Sequence, residues 1–471
     1  MPESVARTIL GNTTWLVAAE VANRALTFLA VTHLARALGE EAMGITSLGF
    51  GLFGMMSLVA AGGIEVLATR RVARTTAGFG RLAGTYLAVA WLWVLPAIAV
   101  AALGLWAMGH PPPTNGVALG IAAAALLDPL ALRFAFFGRD SMRPFALADL
   151  LGAAVWSIGV FACVHGASDV HLVPALWLAG AVARVSFLLF RARRFGRIEA
   201  PRLRAVRAWL SAAAPVSTGR IARGSLYFVD VLLLGALVPL ADVGLYGVAL
   251  RLPLFLLGVF LLLHRATFPT LARRRGDPQS TSRLVSTLLP VIISIGVAAA
   301  ITLGDASEVF LETLFGPPYG AAAGWMAILA IRPLLGGVAG LYRNVLWASN
   351  DRRIEARAAV VSALLTVGAV AEFGAEFGPA GGAWGMVLGE AILIALYVLA
   401  ARPHLAPLRL PLSWLLLQVG TVAALLAWTR LPAPEHPWLA MAMAILVGAL
   451  GAFLPLVTWM PRFIEDLKRN T

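Results

Sequence analysis

Glu20, Asn23, Arg24 and Thr27 lie inside one apolar stretch, Thr13 to Leu38. As a helix rising about 1.5 Å per residue, that stretch is long enough to cross a hydrocarbon core of about 30 Å. The spacing places all four side chains on one helical face and brings Glu20 within reach of Arg24. An arginine at mid-bilayer costs about 2.5 to 3.5 kcal/mol on insertion scales, so this one must be hidden inside a bundle or a wet cavity. The chemistry on offer is binding, because a guanidinium presents a planar fork of donors that suits phosphate and carboxylate oxygens.

Other ionisable residues sit inside apolar runs. Arg220, Arg223, Tyr227 and Asp230 recur at helical spacing within Trp209 to Leu237, and Arg251, Arg332 and Glu390 stand in later runs. One reading makes Arg24, Arg220, Arg223, Arg251 and Arg332, with Asn23 and Tyr227, the ligand-contacting set. The competing reading makes the arginines structural partners of Glu20, Asp230 and Glu390, which would balance charge or couple to an ion. Arginines outnumber these acids, so the surplus predicts a cationic lumen and a cargo with an anionic head. Glu65, Asp128, Arg133, Asp149, Arg184, Arg265 and Arg343 fall nearer the ends assigned below to the cytoplasm, where snorkelling to the interface is the favoured reading.

The elements that carry these residues follow from composition. The chain has 471 residues, 60% hydrophobic and 13% charged, with mean hydropathy +0.83, which defines an all-α integral membrane protein. Apolar runs of spanning length predict about fourteen transmembrane helices. These are Thr13–Leu38, Met43–Thr69, Leu82–Gly109, Gly116–Phe137, Phe145–His165, Leu172–Phe190, Trp209–Leu237, Gly244–Leu271, Leu284–Leu303, Gly320–Trp347, Ala356–Phe373, Gly382–Ala401, Leu412–Leu431 and Trp438–Met460. Met1 to Asn12 is polar and runs directly into the charged first span, so that span reads as uncleaved and not as a signal peptide.

The net charge of +13 would suggest nucleic acid in a soluble chain. Here the basic residues fall between apolar runs and serve as topology signals instead. Arginines crowd alternate loops: Arg70 to Arg81, Arg139 and Arg143, Arg191 to Arg207, Arg273 to Arg283, Arg352 to Arg357, and Arg402 and Arg409, ending in the tail Arg462, Lys468 and Arg469. The intervening loops have almost none. The positive-inside rule therefore puts the arginine loops and both termini in the cytoplasm, and the basic segments are expected to lie against anionic membrane lipids.

An internal repeat relates Ala37-Leu38-Gly39-Glu40-Glu41-Ala42-Met43-Gly44-Ile45 to the segment Ala236 to Leu245, about two hundred residues on. Six spans separate the copies, so the halves enter the membrane from the same side and are related about the bilayer normal. The expected division is a six-helix lobe at 1–190, a basic cytoplasmic linker at 191–208, a second six-helix lobe at 209–401, and two added helices with a tail at 402–471. The repeat pairs the first span with the seventh, and their two polar faces predict one shared central cavity.

Other motifs resolve to structure. Gly49-Phe50-Gly51-Leu52-Phe53-Gly54 fits G-x-G-x-x-G but has no strand before it, so close helix packing outweighs nucleotide binding. The one lysine, Lys468, is in the tail, which excludes a P-loop. His165, Asp169 and His171 make a metal fragment without a further ligand, and ordinary loop residues outweigh it. Cys163 is the one cysteine, so no disulfide framework forms. No cofactor, metal or catalytic residue is expected.

Asn23-Arg24-Ala25-Leu26-Thr27-Phe28 followed by Leu34-Ala35-Arg36-Ala37-Leu38-Gly39 resembles the opening of Wzx-type polysaccharide flippases. These belong to the superfamily that also holds multidrug extruders and peptidoglycan-precursor flippases. Asp230 to Gly235 with Gly244-Leu245-Tyr246, Leu314 to Tyr319 leading to Ile328-Leu329-Ala330, and Phe377 to Ala383 extend the similarity over spans one to twelve. The resemblance implies two six-helix lobes around an alternating-access cavity in a bacterial inner membrane. It implies a cargo of undecaprenyl-diphosphate-linked oligosaccharide, moved from the cytoplasmic to the periplasmic leaflet, and polysaccharide polymerase or assembly proteins as partners. Cavity arginines on the first and eighth spans are a feature of the flippase branches, and Arg24 and Arg251 occupy those helices. Spans thirteen and fourteen depart from the commoner twelve-helix pattern. A multidrug antiporter of the same fold, a peptidoglycan-precursor flippase and a membrane glycosyltransferase or ligase remain alternatives. A cationic drug would favour an acidic cavity, and an enzyme would need a sizeable outer loop that the sequence lacks.

Overall fold

The computed structural model describes residues 3–75, 78–408, 412–428 and 436–457, with side chains from 19 to 453 apart from 215, 412 and 413. All regular structure among the described residues is helical. Nine helical stretches among them are long and apolar enough to cross a membrane, and two shorter apolar helices, Trp414–Trp428 and Pro437–Phe453, follow. Two of the nine are double length, and the predicted seventh span is present as two pieces, Leu203–Ser225 and Val229–Leu237. With each double-length stretch counted as two and the two pieces of the seventh as one, the described residues hold fourteen helical stretches where fourteen spans are expected. It forms two compact units, Met1–Gly244 and Leu245–Thr471.

Glycines set the reversals inside the double-length helices. Gly39 interrupts Glu3–Ala61 with φ 76° and Gly378 interrupts Arg352–Ala401 with φ 61°, a region that side chains other than glycine rarely enter. Around Gly378 the partners nest as in a hairpin: the Tyr397 hydroxyl donates to Glu355 at 2.8 Å and the Ser362 hydroxyl to the Gly389 carbonyl at 2.9 Å. Around Gly39 the same holds, because Leu26 meets Ser157 through a hydrogen bond while Phe50 packs edge-on against Trp156, the adjacent residue. Residues 26 and 50 thus lie at one level, and the chain doubles back between them.

Three predicted spans of the first unit are corrected. Met43–Thr69 is not continuous, since Gly62 and Gly63 end it and Glu65 belongs to a separate helix, Ile64–Arg74. Gly116–Phe137 is helical only to Ala123, runs on as a 3-10 stretch over Ala124–Ala131 containing Pro129, and restarts as Arg133–Phe137 after Leu132 in the left-handed region at φ 46°. Proline removes a backbone donor there, and long 3-10 stretches within helices recur at functional sites. Trp209–Leu237 breaks at Leu226 to Phe228. The segment predicted as an outer loop at 304–318 carries a helix, Ser307–Phe315.

Within the first unit, small residues bring helices together. Gly49 packs on Ile121 and Ala118, Gly51 on Leu232 and Gly54 on Phe228, which accounts for the G-x-G-x-x-G pattern. The repeat segments meet each other, as Gly44 touches the Leu240 carbonyl and Gly244 the Glu40 carbonyl. The basic segment after Ala192 is held against the helix Phe79–Ala107 by the Glu199 N–H to the Gly80 carbonyl at 3.1 Å and by Arg81 to Glu199 at 3.0 Å. In the second unit the added helices pack on Pro278–Asp305, where the Trp414 indole N–H donates to the Ser294 hydroxyl at 3.3 Å and that hydroxyl donates to the Gln418 Oε1 at 2.9 Å.

The helices Met142–Cys163 and Val173–Ala192 touch at Gly152 and Gly180, where a methyl group on Gly180 would lie 2.7 Å from the Gly152 carbonyl oxygen and 3.2 Å from the Trp156 Cβ. Gly180→Ala is therefore expected to cost about 1 to 3 kcal/mol through backbone displacement, read as a lower melting temperature in detergent. Gly116→Ala, with nothing within 4 Å, is the control and should be neutral.

Candidate functional site

The close approach at Gly152 and Gly180 positions the walls of a cavity in the first unit. From Gly152 the same helical face carries Asp149, Ala153 and Trp156, and from Gly180 it carries Trp177, Ala181 and Arg184. Glu20, Asn23 and Thr27 from the first span, Phe53 from the returning half and Arg133 from the broken fourth span complete the enclosure, whose volume is about 350 Å³. Three of the four residues of the polar face predicted on Thr13–Leu38 thus line a cavity, and the fourth, Arg24, stands outside its lining. Thr27 directs its hydroxyl back to the Asn23 backbone carbonyl at 2.8 Å, and both residues line the cavity.

The charges are paired. Arg24 Nε meets Glu20 at 2.7 Å, with the side chains 37% and 34% exposed. Arg184 bonds Asp128 and lies 3.9 Å from Asp149. Glu65 takes two arginines, Arg220 at 3.5 Å and Arg133 at 4.0 Å, and Arg133 also stacks over the Phe145 ring at 4.9 Å. Four carboxylates thus face four guanidiniums. The cationic lumen inferred from the arginine surplus is not what surrounds this cavity, which Glu20 and Asp149 line together with Arg133 and Arg184. Glu65, Asp128, Asp149, Arg133 and Arg184, expected to snorkel, supply most of this pairing. They turn inward instead, where pairing offsets the cost of burying each charge. Arg265, by contrast, is exposed as expected.

Aromatic side chains form the apolar part of the wall. Trp156 and Trp177 meet edge to face at 5.1 Å, Phe53 meets Trp177 at 5.0 Å, and Phe50 backs both indoles. Residue spacing alone did not single out these aromatics. The signals that locate them are Gly152 and Gly180, four residues before Trp156 and three after Trp177.

The remaining predicted residues are dispersed. Arg220 and Arg223 are half-buried on Leu203–Ser225, Tyr227 lies in the turn that follows, and Asp230 is fully buried at the start of Val229–Leu237, where its Oδ1 accepts the Val231 N–H at 2.9 Å. The break at 226–228 dissolves the single face that a straight helix would give them. In the second unit Arg251 is half-buried at the first turn of Arg251–Arg273. Arg332 and Glu390 pair at 3.0 Å with side chains 1% and 8% exposed, the structural arrangement weighed against ligand binding. On the loop before Val173, Asp169 accepts the N–H groups of His165 and Gly166 at 2.9 and 3.1 Å, and His171 bonds the Ser168 carbonyl, so all three serve the turn.

Spanning helices that enclose a charged and aromatic cavity within one compact unit define a multi-pass membrane protein of transporter fold. The chain belongs to the polysaccharide biosynthesis protein family, whose model matches residues 9–275. It is similar to the probable low-salt glycan biosynthesis flippase Agl15 of Haloferax volcanii, 22% identical over 361 residues that cover 75% of each chain. Its fold is similar to that of the lipid II flippase MurJ, solved in an inward closed conformation, with TM-score 0.78 over 96% of this chain and 99% of that one at 13% identity. An inward-facing multidrug resistance MATE transporter superposes with TM-score 0.64 over 86% of this chain and 96% of that one at 15% identity.

The Arg332–Glu390 pair yields a test that separates structure from binding. Arg332→Met leaves a buried carboxylate uncompensated and is expected to cost about 3 to 5 kcal/mol, whereas Arg332→Met with Glu390→Leu should recover most of that. Melting temperatures of the single and double variants check it, and transport by the stable double variant would assign Arg332 to the scaffold.

Proposed function

We propose that the protein is a non-enzymatic flippase of the bacterial inner membrane that moves undecaprenyl-diphosphate-linked oligosaccharide from the cytoplasmic to the periplasmic leaflet. Charge left half-exposed inside a spanning helix, the Glu20–Arg24 pair above all, carries this reading, because a pair so exposed faces a polar path and not lipid. Membership of a polysaccharide biosynthesis family and similarity to a protein named as a glycan biosynthesis flippase support the substrate class. The arginine-rich alternate loops support cytoplasmic termini.

In this reading the cargo enters from the cytoplasmic leaflet with its prenyl chain left in lipid. The diphosphate is held by guanidinium groups, with Arg24, Arg220 and Arg223 as the candidates of the first unit and Arg251 as that of the second, while Asn23 and Tyr227 add uncharged hydrogen bonds. Glu20 and Glu390 keep arginines oriented, and Asp230 is the remaining acid for ion coupling. The two repeat-related lobes then re-expose the cargo to the outer leaflet by alternating access. Polymerase or assembly proteins would receive it there, and anionic lipids would hold the basic loops.

One observation favours a second reading. Glu20 and Asp149 give the cavity acids that a cationic drug would seek, as in a multidrug antiporter of the same fold.

Proteoliposomes loaded with fluorescent undecaprenyl-diphosphate-linked oligosaccharide distinguish the two. Transbilayer movement by the wild type is expected to fall at least about tenfold in Arg24→Gln and in Arg251→Gln, the loss of about 1.4 kcal/mol of binding, and to persist in Arg265→Gln. Unchanged movement in both arginine variants at equal protein levels would overturn the cargo assignment. Export of a cationic dye in place of the lipid would favour the antiporter.

A further inference from the structure

The cavity of the first unit is a poor match for a diphosphate. Two carboxylates and two guanidiniums line it, so its formal charge cancels, and an anionic head placed there would face Glu20 and Asp149. A prenyl chain fits no better, since it would leave ion-paired groups against hydrocarbon. What the walls do offer is a ring-sized space of about 350 Å³, at the low end of the roughly 300 to 1,000 Å³ typical of small-ligand sites.

Two features narrow the occupant. The indole nitrogens of Trp156 and Trp177 are buried, with no hydrogen-bond partner among the described residues, and Trp156 is 1% exposed. A buried indole N–H is costly to leave unmet, so an acceptor belongs beside it. The aromatic faces, meanwhile, carry negative potential and attract the polarised C–H groups of a sugar ring. A pyranose supplies both, since one face is C–H and its rim is hydroxyl. Each hydroxyl donates to a carboxylate such as Glu20 or Asp149 and accepts from Asn23, Arg133 or an indole N–H.

We propose that this cavity is a saccharide subsite, which takes one uncharged pyranose of the cargo against Trp177 and Phe53, with Trp156 behind them, and leaves the diphosphate to arginines outside it. The proposal rests on the flippase reading for its biological cargo. Sugar binding by the purified protein, however, is measurable whether or not lipid moves.

The test uses the full chain in lipid nanodiscs and saturation-transfer NMR with free glucose, galactose, mannose, N-acetylglucosamine and glucuronate. At least one neutral sugar is expected to bind, with transfer strongest to the axial C–H protons of one ring face. Trp177→Ala should weaken it by about tenfold and Trp156→Phe, which removes the N–H and keeps a ring, by about threefold, while Arg265→Gln should bind as the wild type does. Should Trp177→Ala fail to fold, Trp177→Leu replaces it. Absence of binding by every neutral sugar at about 10 mM, equal binding in the tryptophan variants, or preference for glucuronate would each overturn the subsite. In the same preparations, lipid movement that survives Trp177→Ala would overturn the subsite and keep the flippase. Sugar binding without lipid movement by the wild type would do the reverse.

Discussion

A charge cannot be left unaccompanied in hydrocarbon, and the architecture of the first unit follows from how that constraint is met. Four guanidiniums of the first unit face carboxylates: Arg24 meets Glu20, Arg184 meets Asp128 and Asp149, and Glu65 receives both Arg133 and Arg220. Pairing of this kind seldom adds stability over a well-packed apolar core, because desolvation consumes most of the attraction. Its persistence here is therefore better explained by use than by stability. The distorted fourth span supports the same conclusion. An eight-residue 3-10 stretch around Pro129 and a left-handed Leu132 cost conformational energy, and their effect is to deliver Asp128 and Arg133 to the network.

Glycine provides the complementary half of the design. Where the chain must reverse, Gly39 and Gly378 adopt positive φ, and where helices must touch, Gly152 and Gly180 remove the side chains that would keep them apart. The second role has a functional consequence. A helix pair drawn together at one level brings the residues one turn away on each side face to face, so the contact that excludes side chains at Gly152 and Gly180 frames Trp156, Trp177 and Arg184 around open space.

The bilayer makes much of this legible in sequence. Spanning length and loop charge predict the number and order of helices, and the chain's break at Gly39 stands where a repeat motif and a gap between apolar runs coincide. Glu20 to Thr27 is legible as a polar face because helical spacing is local information. The partners of that face are not, because Asp149, Trp177 and Arg184 reach it only through tertiary packing across more than a hundred residues. Position along a span also misleads. Glu65 is near enough to a predicted helix end to snorkel, yet Gly62 and Gly63 turn the chain and send the carboxylate inward to Arg220. Hydropathy cannot register such a turn, since both glycines are neutral to it.

The two units treat the same device differently. Arg133 opens a helix after a break in the first unit, and Arg332, about two hundred residues later, opens one after a break in the second. Arg133 is 38% exposed and its carboxylate partner Glu65 13%, whereas Arg332 and Glu390 are sealed at 1% and 8%. A sealed pair exchanges nothing with a ligand, because any polar group that reached it would first need a path through packed side chains. An open pair keeps donors and acceptors available at the cost of admitting water. The same arrangement, an arginine at a restarted helix facing a glutamate, therefore serves as a fastener in one unit and as part of a wall in the other. Recognition would then be concentrated in the first unit.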